Sequence, residues 1–171
     1  MTQKVLYLVS EDWYFVSHRL PMARAAKAAG YEIHVATRVN RHGEQIAREG
    51  FHLHAIDWRR GSLNPFRLLR TVMETRRLYQ QVAPVLLHHV ALVPSVLGSI
   101  AALGLPLVRV NALTGFGYVF TSQTPKARLV RAIANPLIGW LLRRSKATAL
   151  VQNPDDRAMA LEFGVPPQRV A

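Results

Sequence analysis

The sequence predicts an α/β fold, a doubly wound parallel sheet with helices on both faces, and three observations predict it. Short apolar runs rich in β-branched residues alternate with helical stretches along all 171 residues. The runs read as strands buried on both faces, which is the habit of parallel sheets with right-handed crossovers. The helical stretches are punctuated at both ends, by an acceptor and a proline in front and by glycine behind.

Taken in order, strands are expected at Lys4 to Val9, Glu32 to Thr37, Phe51 to Ile56, Val85 to His88, Leu107 to Val110 and Thr148 to Gln152. Asn64-Pro65, Thr124-Pro125, Asn135-Pro136 and Asn153-Pro154 each place a side-chain acceptor at an N-cap and a preset φ at the first helical position. Gly30, Gly104 and Gly164 fall where helices should stop, because glycine accepts the left-handed conformation there. On the helix from Pro65 to about Gln81, Phe66, Leu69, Val72, Met73 and Tyr79 share one side, expected to pack. Arg67, Arg70, Glu74 and Arg77 line another side, while Arg76 falls among the apolar residues and must snorkel or find a partner. Pro136 divides the stretch from Pro125 to Arg144 into two helices. The last residues, Pro166 to Ala171, read as a turn entering another strand, which makes the chain the front part of a longer protein. No internal repeat, low-complexity tract or linker interrupts it, so residues 1–171 are taken as one domain.

Half the residues are hydrophobic, enough for a folded core, and the formal net charge is +12. The charge is uneven, since Thr75 to Asn153 contains neither Asp nor Glu but holds Arg76, Arg77, Arg109, Lys126, Arg128, Arg131, Arg143, Arg144 and Lys146. Nucleic acid and anionic lipid are the two ordinary partners of such a surface. Cysteine is absent, which excludes disulfides, thiolate catalysis and Cys-ligated metal. The opening Met1-Thr2-Gln3-Lys4 and the short run closed by Glu11 and Asp12 are neither a secretory signal nor a membrane span.

In a doubly wound sheet the working loops lie at the carboxyl ends of the strands. After the first strand comes Ser10 to Arg19, entering a helix with Pro21 in its first turn; Ser17 is a candidate cap, and His18 and Arg19 would face an anion at the helix amino terminus. The same stretch also reads as a solvent-facing loop with aromatic anchors. His88 and His89 close the central run, on opposite faces by alternation, each either facing the crevice or packed and hydrogen-bonded in the core. Neither has metal-ligand spacing to the other histidines, and no metal site is expected. Asn111-Ala112-Leu113-Thr114-Gly115-Phe116-Gly117 follows the fifth strand and offers Asn111 and Thr114 as donors beside a close backbone approach, or else is simply a turn. It is neither a Walker loop nor the dinucleotide-binding glycine fingerprint. Asp155 and Asp156 complement a helix dipole and need no catalytic role.

Together, KVLYLVSEDWYFVSHRLPMARAAKAAGYEIHVATR, LLHHVALVPSVLGSIAA, VNALTGFGYVF and ALVQNPDDRAMALEFGV resemble the amino-terminal half of family 4-type GT-B glycosyltransferases, most similarly the bacterial enzymes that build glycans on a polyprenyl diphosphate carrier. The resemblance implies a Rossmann-like domain, the first half of a GT-B fold, that receives the acceptor while a second domain holds the nucleotide-sugar donor. It implies retention of anomeric configuration, no metal held by an Asp-x-Asp motif and no cofactor beyond the donor substrate. By position it implies that Asp12, Ser17, His18 and Arg19 border acceptor and donor diphosphate, that His88 and His89 lie near the transferred sugar, and that Asn111, Thr114, Gly115 and Gly117 form the next cleft loop. One departure stands out: many members carry glycines in the first loop, where this chain has Glu11-Asp12-Trp13-Tyr14-Phe15.

A lipid-linked acceptor gives the basic surface a role. Arg67, Arg70, Arg77, Lys126, Arg128, Arg131, Arg143 and Arg144 would meet the anionic inner face of the plasma membrane, each contributing roughly 1 kcal/mol when close to it. Trp140 would insert shallowly, unless its apolar block is a core helix covering the sheet. The resemblance therefore predicts a cytoplasmic, peripheral glycosyltransferase domain, inactive without its donor-binding partner domain. That partner domain is either a continuation of the chain or a separate polypeptide. The rival expectation is a basic nucleic-acid-binding α/β domain, disfavoured because the basic residues lack a base-reading motif and cluster around an apolar block.

Overall fold

The computed structural model describes residues 2–58, 64–113, 135–144 and 146–171. Along the chain run β1 (Lys4–Glu11), α1 (Asp12–His18), α2 (Leu20–Ala28), β2 (Glu32–Arg38), α3 (Gly43–Arg48), β3 (His52–Ala55), α4 (Pro65–Val82), β4 (Leu86–Val90), α5 (Leu92–Ala101) and β5 (Val108–Ala112). A helix whose described part is 135–142, α6, precedes β6 (Ala147–Leu150) and α7 (Pro154–Glu162). The strands form one sheet in the order β3-β2-β1-β4-β5-β6, and every pairing is parallel. The order reverses between β1 and β4, so their carboxyl ends open the crevice where folds of this kind hold ligands.

Alternation along the strands divides the core. Val5, Tyr7, Val9, Ile33 and Val35 pack one face against Phe15, Leu20, Ala23 and Ile46 of α1, α2 and α3. Leu6, Leu8, Ala36 and Leu87 pack the other against Tyr79 and Val82 of α4 and Ala101 of α5. A third cluster joins Leu113 and Ala149 to Ile138 and Leu142 of α6 and Ala160 of α7. All three strips are apolar side chains removed from water, the main source of folding free energy. Where α5 crosses the sheet it does so at Gly98, since a Cβ there would stand 2.7 Å from His89 Nε2 and Leu8 Cδ2.

The punctuation works as expected at two of the three described caps; at the third, Asn135 is already helical and its buried Oδ1 accepts no hydrogen bond, so the expected capping contact is not made. Asn64 Oδ1 accepts from the amides of Phe66 and Arg67, at 3.0 and 3.3 Å, and Asn153 Oδ1 accepts from Asp156 N at 2.8 Å, satisfying donors that a helix start leaves free. Gly30, Gly104 and Gly164 all take positive φ. Thr124-Pro125 and the helix division ahead of Pro136 lie outside the described residues. At the end of the chain Val170 forms a parallel bridge to Ala149, and Ala171 N donates to Ala149 O at 2.9 Å, so the expected strand entry runs beside β6.

Three local expectations are corrected. Residues 12–18 are helical rather than a loop, because Glu11 takes an extended N-cap conformation and Phe15 anchors the turn on Tyr7 at 5.6 Å between ring centres. Strands β4 and β5 each reach two residues further than the apolar runs suggest, to Val90 and Ala112. On α4 the inward residues are Thr71, Thr75, Tyr79 and Val82, whereas Phe66, Leu69 and Met73 are exposed. Arg76 does find its partners, donating from Nη1 to Ala101 O at 3.0 Å and Leu103 O at 2.6 Å at the end of α5. Those carbonyls are the ones a helix terminus leaves without internal donors.

Candidate functional site at the crevice between the first and fourth strands

The carboxyl end of β1 is held by its acids. Asp12 Oδ2 accepts from the amides of Asn40 at 2.6 Å and His42 at 2.9 Å, and Oδ1 from Trp13 N at 2.7 Å. Burial disfavours the Asp12 carboxylate, but the three amides and His42 outweigh it and hold its pKa below the ordinary value. Glu11, also buried, accepts from Asn40 Nδ2 at 2.7 Å and faces Arg38 at 3.7 Å. Both acids therefore fasten the start of α1 to the loop after β2. Sequence reasoning missed Glu11 and Asn40, although the Glu-Asp pair at a strand end was visible.

His18 ends α1 rather than starting a helix, and it is exposed. Its ring stacks on Tyr14 at 4.2 Å between centres, and Nδ1 meets Ser17 Oγ at 2.8 Å. Ser17 is not the cap expected; its hydroxyl donates back to Trp13 O at 2.7 Å. Arg19 is the N-cap of α2. It is buried, 4% exposed, and its Nε and Nη2 have no hydrogen-bond partner. Burial lowers its pKa, while Tyr14 and Tyr7 act in the opposite sense; a guanidinium stays protonated regardless. Two charged donors thus point at no acceptor, an arrangement that costs several kcal/mol unless an anion completes it.

His88 and His89 do stand on opposite faces, but mid-strand rather than at the rim. His88 is tilted over Tyr7 at 5.0 Å. His89 is fully buried, with Nε2 2.9 Å from Tyr79 Oη and Nδ1 2.7 Å from Asn111 Oδ1. Asn111 also accepts from Ser99 Oγ at 3.4 Å and lies inside β5, not in the loop after it. Burial, followed by the charge of Arg19 and by His89, pushes the His88 pKa down to about 3. Burial likewise takes His89 down to about 4, with Asn111 opposing and Arg109 assisting. Both rings are neutral at pH 7, and neither can exchange a proton with a substrate there as a general acid does. His88 Nε2 has no hydrogen-bond partner, and the ring lies within electrostatic reach of Arg19.

Between β4 and α5 sits Ala91, with φ 73° and ψ 167°. That region is almost reserved for glycine, and a non-glycine residue there stores on the order of 1–3 kcal/mol, commonly beside a functional site. No sequence signal marks it. Its amide donates to Ala112 O at 2.9 Å, pinning the strained link to the end of β5. Thr114, Gly115 and Gly117 lie outside the described residues, as do Lys126, Arg128 and Arg131.

Of the basic surface that is described, Arg67, Arg70 and Arg77 are exposed on α4 around Phe66, Leu69 and Met73, which are 82, 58 and 46% exposed. Arg70 is paired with Glu74 at 2.7 Å. The apolar block of α6 divides: Ile138, Leu141 and Leu142 are core, whereas Trp140 is 42% exposed with Arg144 stacked 4.0 Å above its ring. Arg143 turns back to Gly139 O at 3.1 Å. Among the described residues no helix is long and apolar enough to cross a membrane.

Residues 4–153 match the family profile described as Glycosyl transferase 4-like. The chain belongs to this family. No curated protein matches it. Among solved structures, this glycosyl transferase 4-like chain superposes on a glycosyltransferase from Rickettsia africae with a TM-score of 0.70 at 11% identity, covering 99% of this chain and 42% of that one. MurG of Acinetobacter baumannii gives 0.65 at 12% identity, with 99% and 44% covered. The UDP-GlcNAc 2-epimerase of Neisseria meningitidis, bound to UDP-GlcNAc, gives 0.67 at 11% identity, with 98% and 46% covered. At such identities the likeness establishes the fold, the first half of a GT-B arrangement. The chain spans less than half the length of these neighbours.

Proposed function

We propose that this domain is the acceptor side of a retaining glycosyltransferase, which moves a hexosyl or N-acetylhexosaminyl group from a nucleotide sugar to a polyprenyl-diphosphate-linked glycan. The work is done at the inner face of the plasma membrane. The observation that carries the reading is Arg19, a buried guanidinium with two unpaired donors one short helix beyond the carboxyl end of β1. Such a group is completed by an oxyanion, and a diphosphate supplies one. Membership of the family and the nucleotide sugar bound by the Neisseria neighbour support the same chemistry. The donor is gripped mainly by a second domain, so this domain alone is inactive.

In this scheme the chain positions and neutralises rather than attacks. Arg19 holds a phosphate oxygen, and His18 stands exposed on Tyr14 at the cleft. His88 and His89 support the sheet beneath. The exposed apolar stripe of α4, flanked by Arg67 and Arg77, and Trp140 with Arg144 dock on anionic lipid.

Calorimetric titration with inorganic pyrophosphate tests the anion site. Arg19→Met is expected to weaken binding at least ~10-fold, since a hydrogen bond to a charged group is worth about 1.5–3 kcal/mol. The variant should remain folded, because removing a buried unpaired charge for an apolar chain relieves a desolvation cost. Equal pyrophosphate affinity in parent and variant would remove Arg19 from the site.

A further inference from the structure

Away from the crevice, the edge of the sheet carries an unassigned cluster. Glu32 and His34 lie two residues apart on β2, and His52 and His54 two apart on β3, so each pair shares one face. The parallel register places His34 beside His52 and Ala36 beside His54. Glu32 Oε1 lies 2.8 Å from His34 Nε2 and 3.4 Å from His52 Nε2. One ligand atom from each of Glu32, His34 and His52 falls within 4.8 Å of the others. The rings are held in parallel, His34 on His52 at 4.6 Å and 18° and His34 on His54 at 5.2 Å and 10°.

From this geometry we propose that Glu32, His34 and His52 bind a divalent transition metal of the zinc class, fastening edge strand β3 to β2. Two imidazoles and a carboxylate are a zinc ligand set, leaving a fourth position to water. Zinc bonds of about 2.0–2.2 Å require only a small spreading of the Glu32 and His34 atoms from their present contact. His34 Nδ1 contacts His54 Nε2 at 2.9 Å. With metal on His34 Nε2, the proton of that ring sits on Nδ1 and is donated to His54, whose own proton moves to its Nδ1. His54 is thus the outer partner that fixes the ligating ring. Each ring stays neutral through the exchange, so no net proton is lost. Imidazole nitrogen favours Zn²⁺, Ni²⁺ or Cu²⁺ over Mg²⁺ or Ca²⁺.

The site lies toward the amino ends of β2 and β3, away from the crevice, so it is a structural clip. The sequence carried the signal in Glu32-Ile33-His34 and His52-Leu53-His54, but only the register of the two strands brings them together.

The test is Zn²⁺ titration of the tag-free full chain, with Co²⁺ absorption as the readout of coordination. One equivalent should bind, with visible d–d bands of low-coordinate Co²⁺ and a rise in melting temperature. Removing the exposed ligand in His52→Ala, or the carboxylate in Glu32→Gln, should weaken Zn²⁺ at least ~10-fold and abolish those bands. His42→Ala, outside the cluster, should bind as the parent does. His52 is 57% exposed at its side chain, so its truncation leaves the core intact. Absence of saturable binding, or equal affinity in His52→Ala, Glu32→Gln and parent, would overturn the proposal.

Discussion

His89 shows how a single side chain in this sheet serves stability. Its ring is neutral and locked between Tyr79 and Asn111, and no water reaches it. Unfolding releases it to an ordinary value of 6.5, so between pH 6.5 and about 4 the unfolded chain binds a proton that the folded chain refuses. His88 behaves alike down to about 3. Stability must therefore fall as pH drops below 6.5, by up to about 1.4 kcal/mol per pH unit for each ring. Denaturant titrations at pH 7, 6 and 5 should show that fall, with a shallower slope in His89→Gln. An unchanged unfolding free energy across this range would contradict the burial of both rings. What sequence reading recovered here was the alternation of the two faces; what it lost was depth. Apolarity ends at Leu87, yet β4 runs on because His89 and Asn111 are register partners that satisfy each other across the strands.

Among the elements, α4 differs most from its sequence pattern. Hydrophobicity assigns Phe66, Leu69 and Met73 to the core, but the inward side needs small residues where α4 meets α5, and Thr71 and Thr75 provide them. Tyr79 and Val82 reach the sheet, and Tyr79 bonds to it through His89. The outward stripe of aromatic and aliphatic groups among arginines has the composition of an interfacial helix. Replacing Phe66, Leu69 and Met73 together by Ser should leave the unfolding free energy within about 0.5 kcal/mol per site, as exposed positions do. Flotation with anionic vesicles should drop at least ~10-fold, since burying such a side chain is worth about 1.5–3 kcal/mol. A triple variant that floats like the parent would show that α4 does not meet lipid. The cap signals behaved differently from the face pattern: Asn64 and Asn153 were legible because a cap is a local interaction, whereas the buried face of a helix is decided by its neighbours.

At the scale of the molecule, six parallel strands in a doubly wound sheet were legible in the alternation of runs and caps, whereas their order in space came only with the structure. The crevice was legible only in part. The place of Arg19 at the start of a helix after β1 could be read from Pro21, but that His18 ends a separate short helix could not, and the strain at Ala91 and the bracing by Glu11 and Asn40 depend on backbone paths that residue types do not reveal. The decisive measurement is flotation of the chain with vesicles of matched charge, with and without a polyprenyl-diphosphate-linked glycan. Our reading predicts that the lipid-linked glycan raises bound chain at least ~10-fold, about 1.4 kcal/mol, and that Arg19→Met removes only this increment. Equal flotation with and without the glycan lipid, or a preference for duplex DNA over both at physiological salt, would contradict it.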